Sequence, residues 1–385
     1  MNVLKRIIII FLSLGISNKL VAEDFAPSTQ TGQILFTEES TLTINSGVTL
    51  GSLTTQNRAH INTQSDSSVT VNSGGTILSL NNAVQGADAT RLTVTNSGTI
   101  RAAGSKAINL KDNIGSTITN NSGGIIRSGT GDTISGEQDT GDETSGNTIT
   151  NSGTIFSDDQ RAINFFSDAT TTTVTNNSSG HIYNSNTNET IKLDTSSTLT
   201  NSGKIENKNS ADNNSILLIG DNNTLTLKDS GLVIGTIGAS SGTSGNKLKI
   251  QHGIGQSYYY KTSGDFDLED LDGNQIVKGS AGSVGQGGSE TLDELLSYKT
   301  INLRNFFDSY TNSNFYNNEG GWGEVYASNL NRDQNASSKG LEFELINIGA
   351  NIIYPTENSN IVMAFEGGIQ DFTKDYKINY QSLHG

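Results

Sequence analysis

The side chains able to do acid–base chemistry are few and scattered in this sequence. His60, His181 and His252 each stand among Ser, Thr and Asn. A general base must lie within hydrogen-bonding reach of the proton it takes, and neither Gly-Asp-Ser-Gly nor Gly-x-Ser-x-Gly is read as marking an activated serine. Asp158 and Asp159 precede Arg161, which supplies two carboxylates and a cation, the residue types of a glycoside-cleaving site. Such a grouping arises easily in a chain with 39 acidic side chains. Two further clusters offer oxygen ligands for Ca²⁺. The loop Gly129 to Gly146 carries Asp132, Glu137, Asp139, Asp142 and Glu143, and a second acidic run extends from Asp265 to Gly273. Neither has the spacing of an EF-hand loop or of the glycine-rich calcium nonapeptide. A solvated acidic loop and a hairpin turn at Asp272-Gly273 account for them, and no catalytic, cofactor or metal residue is assigned.

What would position any such group is a repeat. Thr93-Val94-Thr95-Asn96-Ser97-Gly98-Thr99-Ile100 returns in close copies whose glycines are Gly47, Gly74, Gly98, Gly123, Gly153, Gly180, Gly203 and Gly231. Recurrence of one short unit with variable loops is the signature of a solenoid. Each copy opens on alternating residues such as Val69-Thr70-Val71 or Leu225-Thr226-Leu227, the period of a half-buried strand. A second strand is marked by Ile77, Ile100, Ile125, Ile155, Ile182 and Ile205. A third follows a polar loop, as in Ala107-Ile108-Asn109-Leu110 and Ala162-Ile163-Asn164-Phe165.

Three strands per unit make a coil that buries its apolar face only by stacking, so the fold class is all-β, a right-handed parallel β-helix over residues 23–250. Its interior is Ile, Val and Leu, and its outside is Thr, Ser and Asn. The asparagines of Asn-Ser-Gly admit two accounts, turn geometry or a ladder of stacked amides, and backbone geometry alone suffices to explain them. Specificity is expected in the uneven loops, above all Gly129 to Gly146.

Composition narrows the classes. A hydrophobic content of 32% suits a thin elongated core, and a net charge of -15 argues against nucleic acid and polyanion ligands. With no cysteine, thiol catalysis, cysteine zinc sites and disulfides are excluded. Residues 1–22 read as a signal peptide: Lys5 and Arg6, an apolar core from Ile7 to Ile16, and Leu20-Val21-Ala22 before the cleavage point. The apolar run is too short for a retained membrane anchor. Removing Lys5, Arg6 and Lys19 takes the net charge from -15 to -18.

Residues 251–288 read as cap and linker, with Tyr258-Tyr259-Tyr260 as a capping patch in preference to a sugar-stacking platform. Residues 289–311 have helical spacing, with Leu292, Leu295, Leu296, Leu303, Phe306, Phe307 and Tyr310 on one face and Ser289 or Thr291 as N-cap. Beyond residue 312 come longer alternating strands: Trp322 to Leu330, Gly340 to Tyr354 with Leu341, Phe343 and Leu345 opposite Glu342 and Glu344, and Ile361 to Gln370. Ten-residue strands of this kind suit a transmembrane barrel.

The order of these parts resembles the autotransporters of Gram-negative bacteria, the type V secretion family. The likeness rests on the signal peptide, the TVTNSGTI-like repeats, the helix at 289–311, and then Gly321-Trp322-Gly323-Glu324-Val325-Tyr326 and Ile346-Asn347-Ile348-Gly349-Ala350-Asn351. It implies export across the inner membrane, an adhesive or structural passenger at the cell surface, and residues 312–385 as the first strands of a translocator β-barrel with the helix in its pore. The partners it implies are the outer membrane and the barrel-assembly machinery, with surface glycans, host surfaces or other copies as passenger contacts. Barrels of that family have twelve strands, whereas about three are legible here, so the expectation is a truncated chain that cannot insert by itself. The other reading is a secreted β-helix polysaccharide lyase or hydrolase. The scattered histidines favour a non-enzyme.

Overall fold

The structure, a computed structural model, describes residues 21–22, 32–35, 39–53, 59–137, 143–166, 168–277, 280–283, 287–312, 322–332, 343–356, 360–372 and 376–384. It is all-β apart from the helix Gly287–Asn312. Most of the expected signal segment lies outside the described residues; Val21–Ala22 pairs in parallel with Thr41 and Leu42.

The repeat region is a parallel β-solenoid of about eight turns. Its strands form three sheets, here sheets 1, 2 and 3, of eleven, eight and ten strands, each pairing with the equivalent strand of the next turn. Sheet 1 holds the Thr93–Asn96 type of strand, sheet 2 the Thr99–Ala102 type, and sheet 3 the Ile163–Phe166 type. Alternation sets the sides. In Thr148–Asn151 the second and fourth residues are buried and the first and third reach solvent, and the strands of sheet 2 repeat this pattern.

Each inward position forms a column along the stack. Ile118, Ile149 and Val174 follow one another in sheet 1, Ile126, Ile155 and Ile182 in sheet 2, and Ile134, Ile163 and Ile191 in sheet 3. All are fully buried, and burying each such side chain contributes on the order of 1.5–3 kcal/mol. The ladders run past the expected end at residue 250. Asp267–Asp270 pairs in parallel with Lys247–Ile250, so the acidic run read as a hairpin is a sheet 1 strand, and its turn follows at Gly273, φ +75. Leu268 supplies the inward apolar position opposite Leu248 that lets it continue the column.

Two findings correct the reading of Asn-Ser-Gly. Its glycines divide: Gly47, Gly74 and Gly123 take the left-handed conformation that the turn reading expects, at φ +76, +79 and +80, whereas those at 98, 153 and 203 do not. The latter are required by crowding: a Cβ on Gly153 would press on the carbonyl oxygens of Gly124 and Asn121 one turn below. In the copies at 96, 151 and 201 the asparagine points inward and is fully buried, as are Asn120 and Asn176 at the same register position, while Asn45, Asn72 and Asn121 stay at the surface. Asn96, Asn120, Asn151, Asn176 and Asn201 form an amide ladder, each Nδ2 donating to the next Oδ1 at 2.8 Å. The same amides bind the turn. Asn151 Nδ2 also donates to Gly153 O at 3.1 Å, and its Oδ1 accepts from Gly153 N at 3.2 Å. Turn geometry and ladder are therefore one device, which satisfies a buried polar group that would otherwise be costly.

The C-terminal unit contains the helix and a four-stranded antiparallel sheet, Trp322–Arg332, Phe343–Pro355, Asn360–Phe372 and Tyr376–His384, one strand more than the sequence pattern resolves. The helix starts at Gly287, so Ser289 and Thr291 fall inside it and not at an N-cap. Leu292, Leu296 and Phe307 on its apolar face are exposed. In the second strand Leu345, Asn347, Gly349, Asn351 and Ile353 are buried, while Ile346, Ile348, Ile352 and Tyr354 are exposed. Leu345 and Glu344 lie on opposite faces as expected, while Leu341, Glu342 and the side chain of Phe343 are outside the described residues; both faces of this strand carry apolar residues. Tyr326 lies over Gly349, its cross-strand partner, where no larger residue fits. No helix among the described residues is long and apolar enough to cross a membrane, which leaves a strand-built barrel untouched.

Candidate functional site

Among the solenoid's outward positions, sheet 2 carries a dense group of convergent side chains. Its register stacks Arg101, Arg127, Phe156, Tyr183 and Glu206 in one column, with Thr154, His181 and Lys204 beside them. The rings of Phe156 and Tyr183 stack at 4.6 Å with a 10° interplanar angle. Arg127 lies 4.9 Å from the Phe156 centroid, and Lys208 Nζ lies 3.3 Å from the centroid of Tyr183. Arg127 also pairs with Asp158 at 2.5 Å. Both ends of the aromatic pair are covered by cations, so the column is a closed stack that offers ring edges, not faces, to a ligand.

His181 and Glu206 are the acid–base pair of this face, 3.1 Å apart, and Lys204 approaches the same carboxylate at 2.8 Å. Burial pushes the His181 pKa below its usual value, against the hydrogen bond to Glu206, which raises it. The ring is therefore neutral near pH 7 and donates to Glu206, and Lys204 is the true ion-pair partner. Burial also pushes Glu206 upward, but the hydrogen bonds from Lys204 and His181 outweigh it and hold the carboxyl low. Burial raises Tyr183. This arrangement holds a surface together and presents no activated nucleophile.

Other expected residues separate or turn structural. Arg161 does not pair with Asp158 or Asp159: its Nε bonds Glu189 at 2.7 Å, and its backbone N–H donates to Asp132 at 3.1 Å. Asp132 also accepts from Asn164 at 2.7 Å. Glu137 faces Lys106 at 3.5 Å. Of the acidic loop, Asp139 and Asp142 lie outside the described residues, while Asp132 and Glu137 are already engaged by cations or amides. Among the described residues no group of three or more His, Cys, Asp or Glu could hold a metal ion. His252 bonds Tyr260 Oη at 2.6 Å, and Tyr260, buried, donates to Gly231 O at 3.1 Å. Burial raises the Tyr260 pKa to about 12, as befits a capping residue, whereas Tyr259 is exposed. His60 lies in the strand Ala59–Asn62; its side chain is outside the described set.

One pattern was missed in the sequence. Gly238-Ala239-Ser240-Ser241-Gly242 has the Gly-x-Ser-x-Gly spacing. Its first two residues end the sheet 3 strand Thr236–Ala239 and the rest runs into a turn with Gly242 at φ +83, without the helix that a nucleophile elbow requires. Comparison with family models, with curated proteins and with solved structures finds no match for this chain.

Proposed function

We propose that the chain is an exported surface protein of autotransporter type, its solenoid displayed at the outer membrane as an adhesive or structural module and its C-terminal strands part of the translocator barrel. The observation that carries this is the two-sided C-terminal sheet. Its exposed side presents Val325, Ile346, Ile348, Ile352, Tyr354, Ile361 and Phe365, while Asn347 and Asn351 are buried on the other. The inner side mixes these asparagines with Leu345 and Ile353, so the outer side is the more continuously apolar of the two, the inverse of a water-soluble sheet and suited to hydrocarbon. From Ile346 to Tyr354 the band spans roughly 27 Å at strand rise, near the ~25 Å of outer-membrane barrels.

On this reading the solenoid performs no catalysis. Its polar rungs engage glycans, host surfaces or further copies through many weak contacts, and avidity accumulates along its length. The partners of the barrel part are the outer membrane and its assembly machinery. Protease shaving of intact cells that make the protein tests the proposal: the solenoid is expected to be cut from outside while a periplasmic marker survives. A solenoid protected until the outer membrane is breached overturns it. Degradation of a polysaccharide panel by the purified chain would favour a lyase instead.

A further inference from the structure

Sheet 1 differs from the other two in what it shows to solvent. From Thr41–Ile44 to Thr224–Lys228, each strand turns its first and third residues outward, and every one of these is threonine except Ser68. The register carries both ranks through eight turns with no bulge. Strand propensity alone does not explain this. The equivalent solvated positions on sheet 2 hold Ile125, Arg127, Phe156, His181, Tyr183 and Lys204, so a parallel strand in this solenoid tolerates any residue type there. On the threonine face no charge, ring or amide interrupts the ranks before Lys247 and Lys249.

The face is also regular at the level of atoms. Threonine is stiff at χ1, so each site offers one hydroxyl and one methyl in a repeated pose. Behind the second rank, the asparagine ladder from Asn96 to Asn201 pins the register turn by turn. Among the described residues, Ser68 Oγ to Thr41 Oγ1 at 3.0 Å is the one side-chain hydrogen bond made within the face, which leaves the other hydroxyls for water. Rows repeat at ~4.8 Å across turns and ~6.6 Å along a strand.

We infer that the threonine face is an ice-binding surface, on which water held between the two ranks joins the crystal lattice. The hydroxyls anchor that water and the methyl rows order it. A crystalline polysaccharide is the less suitable occupant, because sugar recognition draws on stacked rings and convergent polar side chains; the two ranks hold neither, and the amides of Asn72, Asn121 and Asn177 at their edge are engaged by the preceding turn. The inference rests on the solenoid alone and does not depend on export.

The test uses the full chain in mild detergent, frozen slowly onto a seeded ice surface, with the protein content of ice and liquid compared. The chain is expected to enter the ice several-fold above a control protein of similar size. The double variant Thr119→Lys with Thr150→Lys is expected to lose that enrichment at least tenfold, and Arg127→Ala on sheet 2 to keep it. Should the lysine variant fail to fold by circular dichroism, Thr119→Val with Thr150→Val removes the hydroxyls at nearly constant shape and is expected to weaken the enrichment. A wild-type chain excluded from ice overturns the inference. So does enrichment indifferent to the folded variants, or threonine-dependent binding to microcrystalline cellulose or chitin without ice binding.

Discussion

The solenoid and the C-terminal sheet are built from the same alternation with opposite sides turned outward. In the solenoid Ile149 and Ile155 are buried while Thr150 and Thr154 reach solvent. In the sheet Ile346 and Ile348 are exposed while Asn347 is buried. A period of two fixes which residues share a face but not which face meets water. That choice is made by what each unit can stack against: the solenoid's turns bury one another's apolar columns, whereas the sheet's apolar side has no such neighbour within its own strands. The contrast teaches that one alternation serves two opposite arrangements of apolar and polar faces.

Substitutions can break that contrast. The largest effect is expected at the solenoid core: Ile155→Ala should cost about 2–5 kcal/mol, read as a lower denaturant midpoint. Ile348→Ala, equally conservative in sequence, should leave the solenoid transition where it is. A shift of similar size from both would mean that the exposed isoleucines are core after all. Next comes the asparagine ladder. Asn151→Ala removes the partner of Asn120 and the donor to Asn176, and stranded buried amides should cost roughly 1–3 kcal/mol. An unchanged midpoint would reduce the ladder to turn chemistry.

Acidification should weaken the solenoid in two stages, with no counterpart in an apolar sheet face. His181 is held below its usual 6.5, so the unfolded chain takes up that proton first, and stability present above about pH 6.5 falls as pH drops. Glu206 is held below 4.5, and its contribution, present above that pH, is lost as pH falls further through its folded value. His181→Phe should flatten the upper stage and Glu206→Gln the lower, as followed by melting temperature across pH. The smallest effect belongs to Arg127→Ala, which uncaps the aromatic stack and breaks a half-exposed ion pair at a cost of about 1 kcal/mol or less.

The solenoid was legible because its signals are redundant: Ile100, Ile155 and Ile182 repeat two residues after their glycines, though the extra Gly124 shifts the register so that Ile126, and not the Ile125 expected from sequence, is the buried residue. The buried asparagines were not, because Asn96-Ser97-Gly98 has the composition of a turn and nothing in a single copy shows that the amide points inward. Only the stacking of Asn96 on Asn120 reveals it. The continuation to Asp267–Asp270 was hidden by charge, since Asp267 and Glu269 occupy outward positions on an end strand. The pairing of Arg161 with Glu189 was unreadable because the partners lie one full turn apart, 28 residues in sequence. The sheet 2 stack was missed for the same reason: Phe156 and Tyr183 are neighbours only once the register is known. The alternation of Leu345 with Glu344 was legible, but which face of Phe343–Pro355 is exposed beyond them was not, because Leu345 and Ile346 are both apolar.

The absence of cysteine allows the central claim, that the C-terminal sheet meets lipid with its apolar side, to be tested residue by residue. Single cysteines placed at residues 345 to 354, in outer membranes from cells making the protein, can be labelled with a probe that reports lipid contact. The account predicts strong lipid signals at 346, 348, 352 and 354 and weak ones at 345, 347, 351 and 353, in strict alternation. Uniform access of a water-soluble quencher to both series would contradict it.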